Sequence, residues 1–565
     1  MAKVYGIDLG TTYSVISTLD DNGMPEVIDN FADSVPLLAS AVYFPEGGEP
    51  VVGKEAKNQA EVEPDRVVQF VKREIGKDDA QVRDFDGVAY DPILVSSIVL
   101  KRMKEYAEEQ GHEVNDVVIT CPAYFGNEER AATKQAGIIA GLNVLNIVNE
   151  PTAAALNYCC REFRENRKIM VYDLGGGTFD ITLFDFSVDD SGKATIDVIE
   201  TGGNDRLGGI DWDARLYDYM CELYTDENGV AQDQMDAELR QKIRSQVEDV
   251  KKTISNMPAK SFTISYDGDA TRLEVSREKF EELTQDLVEQ TMDFVHQLLA
   301  QAKISADDVD VVLLVGGSTR MPMVKAAVEG LFPGKKVRVE HPDLAVAKGA
   351  ALAAAIEWNE RVQKRLDGEE TGTGSSGGGQ ETLPPITQEQ AAGLMINVPQ
   401  QVSTVSEPLG RSLGPAVFVE NGQYMIDNLL FIGDKIPAEA SDTYGTRLEN
   451  QSEVRVMVFE NASRDRENRH VTPSVDEKGN EQYTDPELKV KNIGDVTLAL
   501  PPNTAKGSPI EVMFRSSTIG LEVKATNLET GESAETVINT ENTKTAEEVN
   551  EAKERFASIR TSGQI

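Results

Sequence analysis

The strongest constraint on the fold is a short pattern that the chain contains twice. Val4–Thr12 reads VYGIDLGTT and Met170–Thr178 reads MVYDLGGGT, so each is an apolar strand that ends in Asp-Leu-Gly and continues into small or hydroxylic residues. Glycine lets backbone N–H groups approach phosphate oxygens, threonine adds donors, and the aspartate at the strand end can hold a hydrated Mg²⁺. Two such hairpins that face each other would clamp a phosphate chain.

A third glycine turn supports a nucleotide site. Gly316–Arg320 follows the apolar run Val311–Val315 and is predicted to open a helix whose N-terminus is available to an anion or a nucleotide. One such turn alone is equally typical of proteins that bind nothing, whereas three in this order indicate nucleotide binding. No G-x-x-x-x-G-K-[ST] motif occurs, which excludes a P-loop. The pattern Gly372-x-Gly374-x-x-Gly377 follows no strand and opens no helix, so we reject it as a dinucleotide site.

Composition limits the class of protein. Fifty-six basic against ninety-six acidic residues give a formal charge of −40, which repels nucleic acid and anionic membrane surfaces. The N-terminus has no signal-peptide run and no later stretch approaches a membrane span, which predicts a cytoplasmic protein. The scattered histidines are assigned no metal or catalytic role. The cysteines lack zinc or C-x-x-C spacing and are predicted to be reduced packing residues; they are Cys121, Cys159, Cys160 and Cys221.

The 565 residues predict two or three domains, and the texture changes near residue 360. Before it, β-branched runs alternate with amphipathic segments, which is typical of an α/β domain. Predicted strands there are Asp116–Thr120, Lys168–Tyr172 and Asp310–Val315, and predicted helices are Glu128–Ala140, Ala237–Ser255 and Arg277–Ala302.

After residue 360, the Gly/Ser/acid tract Asp367–Thr382 is predicted to be a flexible tether. Short alternating runs from Leu394 to Ile538 then indicate an antiparallel β-sandwich. The capping box Thr545-x-x-Glu548 predicts a last helix over Thr545–Ile559.

The motifs IDLGTTYS, VNEPTAAALNY, VYDLGGGTFDIT, LVGGSTRMP and PDLAVAKGAALAA resemble, in sequence and in order, those of the heat-shock seventy (DnaK-type) chaperones. The resemblance implies an actin-like α/β ATPase domain of two ribonuclease-H-like lobes, with ATP or ADP, Mg²⁺ and K⁺ in the cleft between them. The expected organisation is an ATPase domain at 1–362, a linker at 363–393, a β-sandwich peptide-binding domain at 394–543, and a short helix and tail at 544–565.

The same resemblance implies site residues. Phosphoryl transfer to water needs charge neutralisation and an oriented nucleophile. By the resemblance, Lys72 reaches the γ-phosphate, Glu150 orients the attacking water, and Asp8 and Asp173 hold water-bound Mg²⁺ and help position K⁺, with Tyr13, Thr178 and Asp180 nearby. The implied phosphate contacts are Gly10, Thr11, Thr12, Gly175, Gly176 and Gly177. The implied adenosine contacts are Glu248, Lys251 and Ser255 on one helix face, with Gly316, Gly317, Ser318, Arg320 and Asp343.

Lys252 stands where some family members stack an arginine on the adenine, and lysine lacks the planar fork, so weaker nucleotide binding is expected. Pro122 and Arg130 match a pair implied to relay the nucleotide state to the second domain. In that domain Tyr444, Val454 and Val456 are implied to line a peptide groove, although all three also fit an ordinary sandwich core.

The sequence departs from the family at two places. The apolar interdomain linker is matched only by Gly393–Val398, without its aspartates and behind the Gly/Ser tract, which puts control of peptide binding by ATP in doubt. Only Thr545–Ile565 follows the β-domain, which is too short for the helical lid that this family usually carries.

The leading hypothesis is an ATP-dependent chaperone that hydrolyses ATP and binds extended apolar segments of unfolded polypeptides. A J-domain co-chaperone and a nucleotide exchange factor are its expected partners. Two rival readings stay open at this point: a nucleotide-switched scaffold whose β-domain recruits a dedicated folded partner, and a small-molecule kinase on the same fold.

Overall fold

The structure is a computed structural model of the chain. It describes residues 3–30, 35–77, 79–162, 165–190, 193–339, 341–368, 386–398, 402–405, 407–418, 424–472, 474–475, 481–482, 488–517, 520–538, 543–557, 559 and 561. Most of the predicted tether, with the Gly372–Gly377 pattern, lies outside the described residues.

A mixed sheet organises the first lobe, residues 3–162. Its strands are β1 (Val4–Asp8), β2 (Tyr13–Leu19), β3 (Pro25–Val27), β4 (Leu38–Ala39), β5 (Ala41–Tyr43), β6 (Val51–Val52), β7 (Val67–Gln69), β8 (Arg83–Phe85), β9 (Val88–Tyr90), β10 (Asp116–Cys121) and β11 (Asn143–Asn149). Its helices are α1 (Lys54–Gln59), α2 (Pro92–Glu109), α3 (Asn127–Ile139) and α4 (Glu150–Glu162). The sheet runs in the order β11-β10-β1-β2-β3, with β4 beside β2.

The second lobe, residues 165–339, is built around a second mixed sheet, and a long helix follows it. The strands are β12 (Arg167–Leu174), β13 (Phe179–Val188), β14 (Ala194–Asn204), β15 (Ala259–Tyr266), β16 (Asp269–Ser276), β17 (Val311–Val315) and β18 (Lys336–Val339). The helices are α5 (Gly209–Asn228), α6 (Ala237–Asn256), α7 (Arg277–Ala302), α8 (Pro322–Leu331) and α9 (Ala345–Asp367).

The second sheet repeats the arrangement of the first. Its order is β18-β17-β12-β13-β14, in which β12 and β13 form an antiparallel hairpin while β17 and β18 pair in parallel beside β12. The first sheet has the same hairpin in β1 and β2 and the same parallel neighbours in β10 and β11. The two Asp-Leu-Gly stretches therefore occupy equivalent hairpin turns. Between the sheets, α4 and α9 share one buried apolar cluster with strands of both lobes.

The C-terminal domain follows, with two sheets and flanking helices. Its elements are α10 (Gln388–Leu394), β19 (Val402–Val405), β20 (Glu407–Pro408), β21 (Ser412–Phe418), β22 (Tyr424–Asp427), β23 (Lys435–Ile436), β24 (Ala438–Gly445), β25 (Glu453–Asn461), β26 (His470–Val471), β27 (Ser474–Val475), β28 (Glu481–Gln482), β29 (Lys491–Ala499), β30 (Pro509–Ser517), β31 (Gly520–Asn527), β32 (Ser533–Val537) and α11 (Ala546–Ala557). The sheets run β26-β22-β21-β25-β29 and β24-β30-β31-β32.

These two sheets enclose one core, because alternate residues of their strands point into a shared apolar cluster. In β31 every second residue is buried, and Val458 of β25 and Phe514 of β30 are fully buried in the same cluster. The alternation is that of sheets with one covered face. The strands predicted after Leu394 are thus present, and antiparallel pairing within the domain begins with β20 at Glu407.

The start of the C-terminal domain differs from our expectation. Residues 386–398, which we predicted to be divided between the tether and the β-domain, pack against α9 and the apolar cluster between the two N-terminal lobes. Helix α9 also continues through the predicted linker start as far as Asp367. Further along the chain, β19 pairs in parallel with β14 at the edge of the second lobe's sheet.

The C-terminal domain contacts both lobes through charged side chains. Lys435 pairs with Asp197 at 2.7 Å and Lys489 with Asp205 at 3.4 Å, while Lys491 pairs with Glu128. Helix α11 reaches back to the first lobe, where Val549 and Phe556 enter its core and Lys101 donates to the carbonyl of Phe556. The capping box that predicts α11 is confirmed, since Glu548 N–H donates to Thr545 Oγ1 at 3.2 Å.

Candidate functional site

The two glycine turns meet at the interface of the lobes. The turn after β1 carries Thr12, and the turn after β12 carries Gly176. A Cβ atom on Gly176 would lie 2.0 Å from Thr12 Oγ1, so only glycine permits this approach. The turns thus face each other as the repeated pattern predicts, with backbone amides and threonine hydroxyls side by side.

Carboxylates lie beneath the turns: those of Asp173 and Asp180 are buried, and that of Asp8 is half-buried. Asp8 ends β1, while Asp173 of β12 and Asp180 of β13 are direct partners across their hairpin. Burial raises the pKa of Asp8 to about 7, with Glu150 adding to the rise, and burial raises the pKa of Asp173 and of Asp180 well above the usual range. Such an assembly of acids favours either bound protons or a bound cation.

Lys72 brings a buried positive charge to these acids. It lies in a single 3₁₀ turn, Val71–Arg73, is 5% exposed, and pairs with Glu150 at the start of α4. Burial opposes its charge, but Glu150 and Asp8 outweigh burial, so the pKa of Lys72 is raised. The ammonium group therefore stays charged and faces the region below the two turns.

Two buried polar atoms at the site have no hydrogen-bond partner among the described residues: Asp180 Oδ2 and Thr12 Oγ1. Unpaired buried polar atoms are costly, and they point to a missing ligand. The same residues do not form a chelating cage, since the described part of the chain has no group of three or more His, Cys, Asp or Glu side chains placed to bind an ion directly. The donors thus fit Mg²⁺ bound through water and phosphate oxygens.

The predicted adenosine residues lie along α6 and the third glycine turn. Ser318 Oγ donates to Gly175 O at 2.8 Å, and Arg320 pairs with Asp343, so the third turn is held against the second. Lys251 reaches Asp213 at 2.7 Å, and Ser255 Oγ bonds within its own helix. One expectation is corrected: the third turn continues as a 3₁₀ segment, Gly317–Arg320, and α8 begins only at Pro322.

A polar clamp closes the cleft between the lobes. Glu248 of α6 accepts from Tyr13 Oη at 2.9 Å and pairs with Lys57 of the first lobe and with Lys252. Burial alone would raise the pKa of Glu248, but Lys57 and Lys252 outweigh it and lower the pKa to about 2. Lys252, expected at the adenine, instead lies over the Tyr13 ring, 5.0 Å from its centroid.

The clamp makes Glu248→Gln a test of cleft opening. Losing its ion pair with Lys57, which crosses the cleft and is worth up to about 1 kcal/mol, should speed release of fluorescent ADP by about fivefold in stopped flow. Glu238→Gln is the matched control, because Glu238 pairs with Lys242 on the same helix without crossing the cleft. Equal release rates from the two variants would contradict a gating role for Glu248.

Sequence reasoning missed Arg73, which joins the lobes next to Lys72. Its guanidinium donates to Gly177 O through Nε at 2.8 Å and pairs with Asp211 at 2.8 Å, while Asp211 caps α5 by accepting from Gly208 N–H at 2.7 Å. Within the turn Val71–Arg73, the ammonium group of Lys72 thus contacts the carboxylate of Glu150, and the guanidinium group of Arg73 contacts the glycine turn after β12. The sequence signal that could have identified Arg73 was its position directly after Lys72.

A family model described as "Hsp70 protein" matches residues 4–91 and 78–366, well over half of the chain. The chain belongs to the Hsp70 family. It is 43% identical over 361 residues to the Chaperone protein DnaK of Thermotoga neapolitana and 41% identical over 363 residues to that of Thermosipho melanesiensis. In both cases the alignment covers 62% of this chain and only 59% of the relative's length. The described helices include none with the length and apolar character needed to cross a membrane.

In this member of the Hsp70 family the predicted relay residues lie between the carboxylate cluster and the C-terminal domain. Arg130 donates to Asn149 Oδ1 and to Ile147 O, next to Glu150 in sequence, and Asn149 N–H donates to Glu407 of the C-terminal domain at 3.3 Å. Pro122 precedes Ala123, whose N–H donates to Asp180 Oδ1 at 2.8 Å. A relay role for Pro122 and Arg130 remains a prediction that this placement suits.

The predicted groove residues of the Hsp70 C-terminal domain are only partly accessible. Val456 is 5% exposed and belongs to the core, while Tyr444 and Val454 are half-buried against it. Tyr444 Oη donates to Asp427 at 2.9 Å, and Arg469 bridges Asp427 and Asp442 beside it. Tyr444 and Val454 are therefore the two candidates at the surface of the domain.

Proposed function

We propose that this chain hydrolyses ATP between its two lobes and uses the reaction to control how its C-terminal domain binds extended apolar segments of unfolded polypeptides. The observation that carries the proposal is the contact between two glycine turns that lie above a cluster of carboxylates, with the buried ammonium group of Lys72 among them. Membership of the Hsp70 family and the DnaK relatives support the chaperone part.

The residues have distinct parts in the proposed reaction. Lys72 would donate to the γ-phosphate and Glu150 would orient the attacking water, so the buried pair they form would separate when ATP binds. Thr11, Thr12 and the glycines of the second turn would donate to phosphate oxygens. Asp8 and Asp173 would hold Mg²⁺ through water, with K⁺ beside Asp180, and the cations would neutralise the charge that develops on the phosphates.

The finer architecture belongs to the same proposal. The repeated strand order of the two lobes supports an actin-like pair of ribonuclease-H-like units. The common core of the two C-terminal sheets supports a β-sandwich. A J-domain co-chaperone and a nucleotide exchange factor are the proposed partners, the second acting where Glu248 closes the cleft.

Peptide binding to the whole chain tests the chaperone part. A labelled extended apolar peptide should bind, and ATP should loosen it. Val454→Ser should weaken binding by about tenfold, since about 1.5 kcal/mol of apolar burial is lost. Leu528→Ser, at an exposed apolar residue of the same domain, is the control. If no unfolded peptide binds and one folded partner does, the scaffold reading replaces the chaperone while ATP hydrolysis stands.

A further inference from the structure

The two sheets of the C-terminal domain end side by side along one edge. Strand β24 is the outer strand of one sheet, and β26, next to β22, is the outer strand of the other. Among the described strands, none pairs with the free edge of β24 or of β26. The two edges are close together, because Tyr444 of β24 donates from Oη to Asp427 of β22 at 2.9 Å. Side chains, and not backbone pairing, therefore close the domain along this edge.

Arg469, which directly precedes β26, joins the two sheets at this edge. Its Nε pairs with Asp427 Oδ1 at 2.6 Å, and its Nη2 donates to Asp427 Oδ2 at 2.8 Å and also to Asp442 of β24. Asp442 and Tyr444 are alternate residues of β24 and lie on the same face of that strand. The four side chains thus form a polar ring that crosses from the sheet of β24 to the sheet of β22 and back.

The two ends of the Arg469 bridge differ in how easily they can break. The side chain of Asp427 is only 4% exposed, and the backbone beside it is tied to Arg469, because Asn428 N–H donates to Arg469 O at 3.0 Å. The side chain of Asp442 is 38% exposed, and its hydrogen bond from Arg469 holds the pKa of Asp442 below its usual range. Exposed ion pairs are much weaker than buried ones. The bond to Asp442 can therefore break while Arg469 stays on the sheet of β22.

The ring includes a residue that the proposed function assigns to polypeptide binding. Tyr444 is one of the two surface candidates for this contact, and the other, Val454, is half-buried against the same apolar core. An extended segment that packs on Tyr444 has to enter between β24 and β22. Arg469 spans that entrance.

We propose that Arg469 holds the C-terminal domain closed to polypeptide, so that an extended segment reaches Tyr444 only after the bond between Arg469 and Asp442 has broken. The inference rests on the proposed function, because it takes Tyr444 as a polypeptide contact. A closed form that excludes the ligand lowers the apparent affinity by the factor by which it is favoured. For a half-exposed ion pair this factor is up to about fivefold.

The test compares two variants of the whole chain with the native chain, without nucleotide. Asp442→Asn removes the charge at the exposed end of the bridge and leaves Arg469 on Asp427. Its amide oxygen can still accept from Thr443 N–H, as Asp442 Oδ1 does at 2.7 Å. Arg466→Ala is the matched control, because Arg466 belongs to the same segment but pairs at 2.7 Å with Asp434, in the turn before β23.

The first measurement is the affinity for a dansyl-labelled peptide of leucine and asparagine, which carries no charged side chain. At low salt, Asp442→Asn should bind this peptide about fivefold more tightly than the native chain. Salt screens the half-exposed pair, so the affinities of the native chain and of Arg466→Ala should rise towards that of Asp442→Asn as salt is added. The affinity of Asp442→Asn should change least.

Hydrogen exchange without peptide measures the opening of the edge directly. The amides of β24 and β22 should exchange up to about fivefold faster in Asp442→Asn than in the native chain. The amides of β31, whose alternate residues fill the core shared by the two sheets, should keep their native rates. A general loss of stability would speed exchange in β31 as well.

Equal peptide affinities of Asp442→Asn and Arg466→Ala would overturn the proposal and leave peptide binding itself in place. Native exchange rates in β24 of Asp442→Asn would also overturn it. If neither the native chain nor either variant binds the peptide, the proposed function is refuted instead. Faster exchange of β24 would then assign Arg469 a purely structural part.

Discussion

Replacing Lys72 by alanine is expected to slow ATP hydrolysis in single-turnover measurements by about a hundredfold, or about 2.7 kcal/mol of barrier. The side chain is buried, its raised pKa keeps it charged, and it lies against Glu150 and Asp8, where charge develops in the proposed reaction. Nucleotide binding should change far less, because the glycine turns and the third turn remain. The rate constant and the Kd for ATP are measured on the same preparation.

Lys54→Ala is the control for Lys72→Ala, since Lys54 is an exposed lysine of the same lobe. Asp8→Asn should also lower the rate by at least tenfold, about 1.4 kcal/mol, through loss of the proposed Mg²⁺ position. Thermal unfolding with bound ADP separates a chemical effect from misfolding. Turnover within threefold of the native chain in both Lys72→Ala and Asp8→Asn would refute the assigned roles.

Acidification from pH 8 to pH 6 is expected to strengthen docking of the C-terminal domain by about tenfold for each of two buried carboxyls. Burial raises the pKa of Glu407 to about 7 against the pull of Arg130. Burial and then Glu129 raise the pKa of Glu460 to about 7, and Glu128, Arg411 and Lys491 also face this group. Both carboxyls return to ordinary acidity when the domains separate.

The direction of the pH dependence follows from these two raised pKa values. A carboxyl whose pKa is higher in the docked state favours docking when protonated, so the gain is complete below about pH 4.5 and is lost as the pH rises through about 7. Energy transfer between dyes attached at Gln301→Cys and Ser533→Cys, both exposed positions, reports the docking constant. Glu407→Gln and Glu460→Gln should each remove one tenfold step. A docking constant that stays flat from pH 8 to pH 6 would contradict the expectation.

The two hairpins of the candidate site were predictable because their pieces are local in sequence. An Asp-Leu-Gly turn needs only a strand, an aspartate and glycines, so the repeat at residues 4–12 and 170–178 indicated the two hairpins that the structure contains. Helix α7 was predicted at its observed bounds, Arg277–Ala302, from its amphipathic pattern, and Ser276 caps its start in the structure. Residues such as Lys72 required the family resemblance, since a lone lysine has no local signature of burial.

Contacts between segments that are distant in the sequence could not be predicted. Lys252 matches an adenine-stacking position, yet it pairs with Glu248 one helical turn away and lies over the ring of Tyr13, which is distant in the sequence. Gly393–Val398 is apolar in the way a linker is, but the same apolar character serves to bury Ile396 on the lobes. An apolar pattern predicts that a segment is buried, but it does not identify the surface against which the segment packs.

The packing of α11 has a consequence for how the molecule melts. Phe556 is 1% exposed and sits beside Tyr90 within the core of the N-terminal lobe, so two ends of the chain complete a single apolar interior. A fragment that stops at residue 368 would expose that patch to water and lose the stabilisation that these side chains supply. Heat denaturation of the intact chain should therefore melt α11 and the first lobe together, as one cooperative unit.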